Sequence, residues 1–168
     1  EYTGDLGVVG SNPEGGFIPG DENAYVMSAS GCKIRLRFPY LKSFVDSAQE
    51  VPTVLKAQLV VPVDGSFFDK PIPAQDQLFV QVYRADGLPA PTPDDEPSSP
   101  VPVGGTYDSQ LDAYVFNLTS TVQSMIKGEF DEGDLYIVSN RSGVSVASVV
   151  LRGTGVDNPA KLNLTLGQ

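Results

Sequence analysis

Histidine and tryptophan are absent from this 168-residue chain, and cysteine occurs once. Without histidine there is no imidazole to act as a general base near neutral pH, and the commonest metal ligand is missing too. Without tryptophan the largest aromatic platform for stacking on a sugar ring is missing. A single cysteine excludes an internal disulfide and a thiolate zinc cage. In an exported protein, that absence points to a bacterial more than a eukaryotic origin. Bases are scarce, with 11 Lys and Arg against 21 Asp and Glu and a net charge of −10. Binding to nucleic acid or anionic lipid requires a basic footprint, so neither is an expected partner. No apolar run is long enough to span a membrane, and no signal peptide is present. The chain opens on Glu1 and reads as a processed or truncated piece.

What is there is a globular composition, with 40% hydrophobic residues, in a length that suits one domain. Residues 1–20 are rich in Gly, Asn and Pro and read as an extended arm or loop. From residue 21 onward the pattern becomes period two. Cys32, Ile34, Leu36 and Phe38 alternate with Lys33, Arg35 and Arg37. Leu55 to Val63 alternates in the same way, and Pro62 marks an edge position or a strand end. Further strands are expected around Tyr25 to Met27, Leu78 to Tyr83, Tyr114 to Leu118, Leu135 to Val138, Val144 to Leu151 and Leu162 to Leu166. About eight short strands separated by turn signals predict an all-β, antiparallel, jelly-roll-like sandwich. One short helix interrupts them. Val122, Met125 and Ile126 fall at i, i+3 and i+4, with Thr119 or Ser120 as cap and Gly128 as stop. A helical turn is also expected at Tyr40 to Asp46.

Residues 85–113 stand apart. Pro89, Pro91, Pro93, Pro97, Pro100 and Pro102 surround Asp94, Asp95 and Glu96. This segment reads as a stiff acidic excursion whose carboxylates stay exposed. It can be replaced by a Gly-Ser link without loss of the fold on this reading. Lys33, Arg35 and Arg37 form a basic strip, read either as a docking surface for an acidic partner or as an ordinary solvated face. Glu129, Asp131, Glu132 and Asp134 cluster after the helix. They could bind Ca²⁺, but their spacing is not that of an EF-hand loop. No cofactor is implied. Cys32 lies on the apolar side of its strand and reads as an inert thiol. No nucleophile elbow, phosphate loop or dinucleotide fingerprint is present, so no catalytic residue is assigned and an enzyme is not expected.

Several stretches carry a resemblance. They are Gly31 to Lys42, Val54 to Val63, Gly104 to Asp108, Tyr114 to Thr119 with Val122 and Gln123, Val149 to Gly153, and Pro159 to Leu164. Together they resemble the C-terminal half of a family of Bacteroidota outer-membrane lipoproteins of unknown function. The same order resembles jelly-roll modules of bacterial surface proteins. Those share a Lys-Ala-Gln-Leu strand (here Lys56 to Leu59), an aromatic-Asn-Leu-Thr entry to a helix (Phe116 to Thr119) and a closing Pro-x-x-Leu strand (Pro159 to Leu162). Their helix often carries Trp, where this chain has Ser124 and Met125. The resemblance implies export to the outer membrane or cell surface, or to the periplasm, with a lipid anchor on an N-terminal region. It also gives Asp46-Ser47-Ala48 a meaning as an O-glycosylation site at Ser47. The expected function is a non-catalytic structural or interaction domain that contacts other envelope proteins through Lys33, Arg35, Arg37, Asp94, Asp95 and Glu96. The alternative is a carbohydrate-binding module that stacks a glycan on Tyr83, Tyr107 or Tyr114. A coplanar pair of exposed tyrosines would favour the alternative, and burial of all three would oppose it.

Overall fold

A computed structural model of the chain describes residues 22–28, 31–38, 41, 51–65, 75–83, 87–97, 99, 101–129, 135–140 and 147–167. The expected N-terminal arm, most of the turn at 40–46, Ser47, and Asp131, Glu132 and Asp134 lie outside these residues.

The strands are β1 (Asn23–Met27), β2 (Ile34–Leu36), β3 (Thr53–Pro62), β4 (Leu78–Tyr83), β5 (Pro89–Pro91), β6 (Gly104–Asp108), β7 (Ala113–Asn117), β8 (Leu135–Ser139), β9 (Ser148–Arg152) and β10 (Lys161–Gly167). They form two four-stranded antiparallel sheets, in the orders β10-β3-β7-β6 and β2-β8-β4-β5, and a β1-β9 pair. The chain passes from one four-stranded sheet to the other between β2 and β3, β3 and β4, β5 and β6, and β7 and β8. The all-β sandwich expected from the alternation is therefore the fold.

Period two explains how the core is built. Leu59 and Val61 of β3, Tyr114 and Phe116 of β7, Leu78 and Val80 of β4, and Leu135 and Ile137 of β8 all belong to one buried cluster. Burying an aliphatic side chain of this kind contributes roughly 1.5–3 kcal/mol. Pro62 sits at the end of β3, which is an interior strand, so its missing N–H interrupts no continuing ladder.

The two sheets are stitched at both sides. On one side the Tyr107 N–H donates to the Asp76 carbonyl at 3.0 Å, joining β6 to the start of β4. On the other, β1 meets the approach to β2 through Met27 and Cys32, and β9 meets the residue that follows β3 through Leu151 and Val63. β5 and β6 both fall within the stretch read as a stiff acidic excursion, which therefore carries two edge strands that the sequence reading does not include. Prolines mask β5, because only Ala90 can donate to β4, where it lies opposite Val82. Glycines mask β6. A bulge between Gly104 and Tyr107 holds Gly104 at φ +86° and Gly105 at φ +80°.

Helix α1 (Thr119–Ile126) follows β7 and packs on the first half of β3. Val122 and Ile126 are buried and Met125 packs against the core, as the spacing predicts. The Leu118 N–H donates to the Ala57 carbonyl at 2.9 Å, and the Ala57 N–H donates to Thr119 Oγ1 at 3.0 Å. Thr119 is thus spent on β3 and does not cap its own helix. Gly128, at φ +74°, ends the helix, with Gly128 N–H on the Met125 carbonyl and Glu129 N–H on the Ser124 carbonyl.

A buried polar chain links the layers. Tyr114 Oη donates to the Gln75 carbonyl at 2.6 Å, Ser139 Oγ donates to Gln75 Oε1 at 2.6 Å, and Ser28 and Ser139 hydroxyls lie 2.5 Å apart. Burial, with Tyr107 adding to it, pushes the Tyr114 hydroxyl well above the ordinary tyrosine value of 10.0. The folded state therefore holds the proton that the unfolded chain releases. This contribution is complete below pH 10 and is lost as pH rises further. Tyr114→Phe is expected to cost about 1–2 kcal/mol at neutral pH. It should also flatten the fall in stability above pH 10, as measured by urea unfolding across that range.

Candidate functional site

The outer face of the β2-β8-β4-β5 sheet carries the basic strip. Ile34 and Leu36 turn inward against the core, which turns Lys33, Arg35 and Arg37 outward. Lys33 and Arg37 are exposed and Arg35 is half-buried. Arg35 lies opposite Tyr136 of β8, and Tyr136 lies opposite Gln81 of β4. Phe79, Gln81 and Tyr83 are the outward residues of β4, since Leu78 and Val80 are buried.

These residues are organised. Tyr83 and Tyr136 meet edge to face, with ring centroids 4.8 Å apart and planes at 64°. Lys33 Nζ sits 3.7 Å from the Tyr83 centroid and 5.0 Å from that of Tyr136. The ammonium lies over the electron-rich ring face, an attraction of about 0.5–1 kcal/mol at an exposed site. The strip is thus a positive surface with an aromatic floor. The sequence pattern marks Lys33, Arg35 and Arg37 as the strip but does not mark Tyr136. The available signal was its position between Leu135 and Ile137, which must point the opposite way.

The acidic triplet divides. Asp94 is 4% exposed, and its carboxylate accepts from the Ser120 N–H at 2.8 Å and the Thr121 N–H at 2.7 Å. It caps α1 from 26 residues upstream, because Leu118 at the N-cap position has no side-chain oxygen to offer. The expectation that prolines keep Asp94 exposed is corrected. They fold it inward instead, through the 3-10 turn Pro93–Asp95 after β5. Asp95 and Glu96 are exposed. They line an open groove of about 430 Å³ with Gln77, Phe79, Pro97 and Thr106. Swapping out the whole excursion would remove β5 and the helix cap, so the fold is not expected to survive it.

Comparison with protein-family models, with curated proteins and with solved structures finds no match to this chain. The reading of the site therefore rests on its own geometry. Among the described residues, no three His, Cys, Asp or Glu side chains gather to hold a metal ion, and Glu129 is the one member of the post-helix acidic turn described. No helix among these residues is long and apolar enough to cross a membrane.

The tyrosines named for sugar stacking are engaged elsewhere. Tyr114 is fully buried. Tyr107 tilts against Tyr114 at 54°, and its hydroxyl donates to Asp112 Oδ1 at 2.6 Å. That carboxylate is the main reason the Tyr107 hydroxyl is raised above its ordinary value. Tyr83 is covered on one face by Lys33 and stands steeply to Tyr136. Cys32 is half-buried, its thiol pointing to the Tyr25 carbonyl at 3.4 Å, and burial pushes the thiol up.

Proposed function

We propose that this chain is a non-catalytic interaction domain of a bacterial outer-membrane or cell-surface lipoprotein, and that it docks an acidic surface of another envelope protein. The observation that carries the reading is the Lys33–Tyr83–Tyr136 stack beside Arg35 and Arg37. Three of the chain's 11 bases are gathered within five residues of a strongly acidic protein, on one sheet face. Arg and Tyr are the residue types that most often anchor protein interfaces. Complementary charge also steers encounter and fixes register. Asp95 and Glu96, on the lip of the groove, supply a second and opposite charge to the same partner. The resemblance in residues 31–166 supports the envelope location. Glycan binding has less support, because no coplanar exposed tyrosine pair is present among the described residues.

The test is co-purification of tagged full-length protein from detergent-solubilised envelopes. A stoichiometric envelope protein is expected with the wild-type chain. It should be lost with Lys33→Glu, Arg35→Glu and Arg37→Glu combined, and retained with Lys127→Glu. Retention of the same partner by the folded triple variant would overturn the reading.

A further inference from the structure

Of the four edges of the two four-stranded sheets, three are protected. β2 spans three residues within the alternating Lys33, Arg35 and Arg37. The β5 edge turns Pro89 and Pro91 outward, since Ala90 supplies the bond to β4. β6 is stitched to the start of β4. Short length, charge, proline and coverage are the usual guards against edge-to-edge pairing. β10 is the least guarded of the four: it is long and free of proline, and no described element pairs with its outer side, although a register shift against β3 falls between Thr165 and Leu166. It runs seven residues, Lys161–Gly167, pairs with β3 on one side, and carries its single charge at one end.

Its apolar side chains are also unevenly used. Leu162 and Leu166 pack against the core, whereas Leu164, opposite the small Ala57, is 37% exposed. Leu55, 62% exposed, lies alongside Gly167, which has no side chain to cover it.

We infer that β10 pairs antiparallel with β10 of a second copy of this chain, centred on Leu164. In that register Leu164 meets Leu164, Leu162 meets Leu166, Asn163 meets Thr165 and Lys161 meets Gly167. The register uses all seven residues and keeps each face matched. No like charges stand opposite each other, and the stem of each Lys161 crosses the partner's Gly167 towards Leu55. A self-complementary strand gives an isologous two-fold contact, and two four-stranded sheets become one of eight. Each copy carries −10, so repulsion opposes the contact and added salt strengthens it.

Sedimentation of the full 168-residue chain tests this. The wild type should show a monomer–dimer equilibrium with a Kd on the order of 10 µM, tightening between low and moderate salt. Leu164→Lys and Leu164→Glu place like charges face to face and should each weaken the dimer by more than ~10-fold. Mixed in equal amounts, the two variants should recover it as a heterodimer. Recovery on mixing also shows that each variant folds. A wild type that stays monomeric up to about 500 µM would overturn the inference. So would a dimer that tolerates Leu164→Lys, or folded variants, by circular dichroism, that fail to associate when mixed.

Discussion

Gly105→Ala is expected to destabilise the chain by roughly 2–5 kcal/mol, from backbone strain of about 1–2 and overpacking of about 1–3. A Cβ on Gly105 would lie 2.2 Å from the Leu78 carbonyl oxygen and 2.6 Å from Phe116 Cε1. Neither neighbour can give way. The carbonyl belongs to β4, and the Phe116 ring is fully buried in the core. At φ +80° the backbone is also one that side chains rarely adopt. Gly128→Ala separates the two causes. It has the same positive φ, at +74°, but nothing within 4 Å of the added carbon, so about 1 kcal/mol is expected. Urea unfolding of both variants is the measurement. Equal losses would mean that β6 does not approach β4 and Phe116 as closely as described.

Asp94→Ala should cost about 2–4 kcal/mol. It removes two charge-assisted hydrogen bonds and leaves the Ser120 and Thr121 N–H groups without acceptors beside a buried Thr121. Asp94→Asn retains one acceptor and sets an amide N–H₂ against the second N–H. An intermediate loss of about 1–2 kcal/mol is expected. Asp95→Ala, one residue on and exposed, should stay within ~0.5 kcal/mol of wild type. Chemical unfolding measures all three. The ordering Asp94→Ala, Asp94→Asn, Asp95→Ala distinguishes a structural carboxylate from its solvated neighbour. Equal effects at 94 and 95 would contradict the capping role.

The strands legible in sequence are those whose alternation feeds the core directly, such as Leu78 to Tyr83 and Leu135 to Val138, the latter one residue short of β8. β5 and β6 were hidden because proline and glycine mark them, and both residues count against a strand in any local reading. Each is an edge strand, where one side of the ladder need not be satisfied. The helix was legible from Val122, Met125 and Ile126, and its end from Gly128. Its cap was not, because local rules look one residue upstream while the carboxylate arrives from Asp94 across the fold. At the docking face the alternation of Lys33, Arg35 and Arg37 was visible in one strand. The aromatic floor was not, since Tyr83 and Tyr136 come together only through the pairing of β4 with β8.

Lysine footprinting of the envelope-purified assembly addresses the docking face directly. Acetylation of the assembly and of the isolated chain would be compared by mass spectrometry. Lys33 should be strongly protected in the assembly, while the exposed Lys56 and Lys127 react equally in both states. Equal acetylation of Lys33 in the two states would contradict docking through this face.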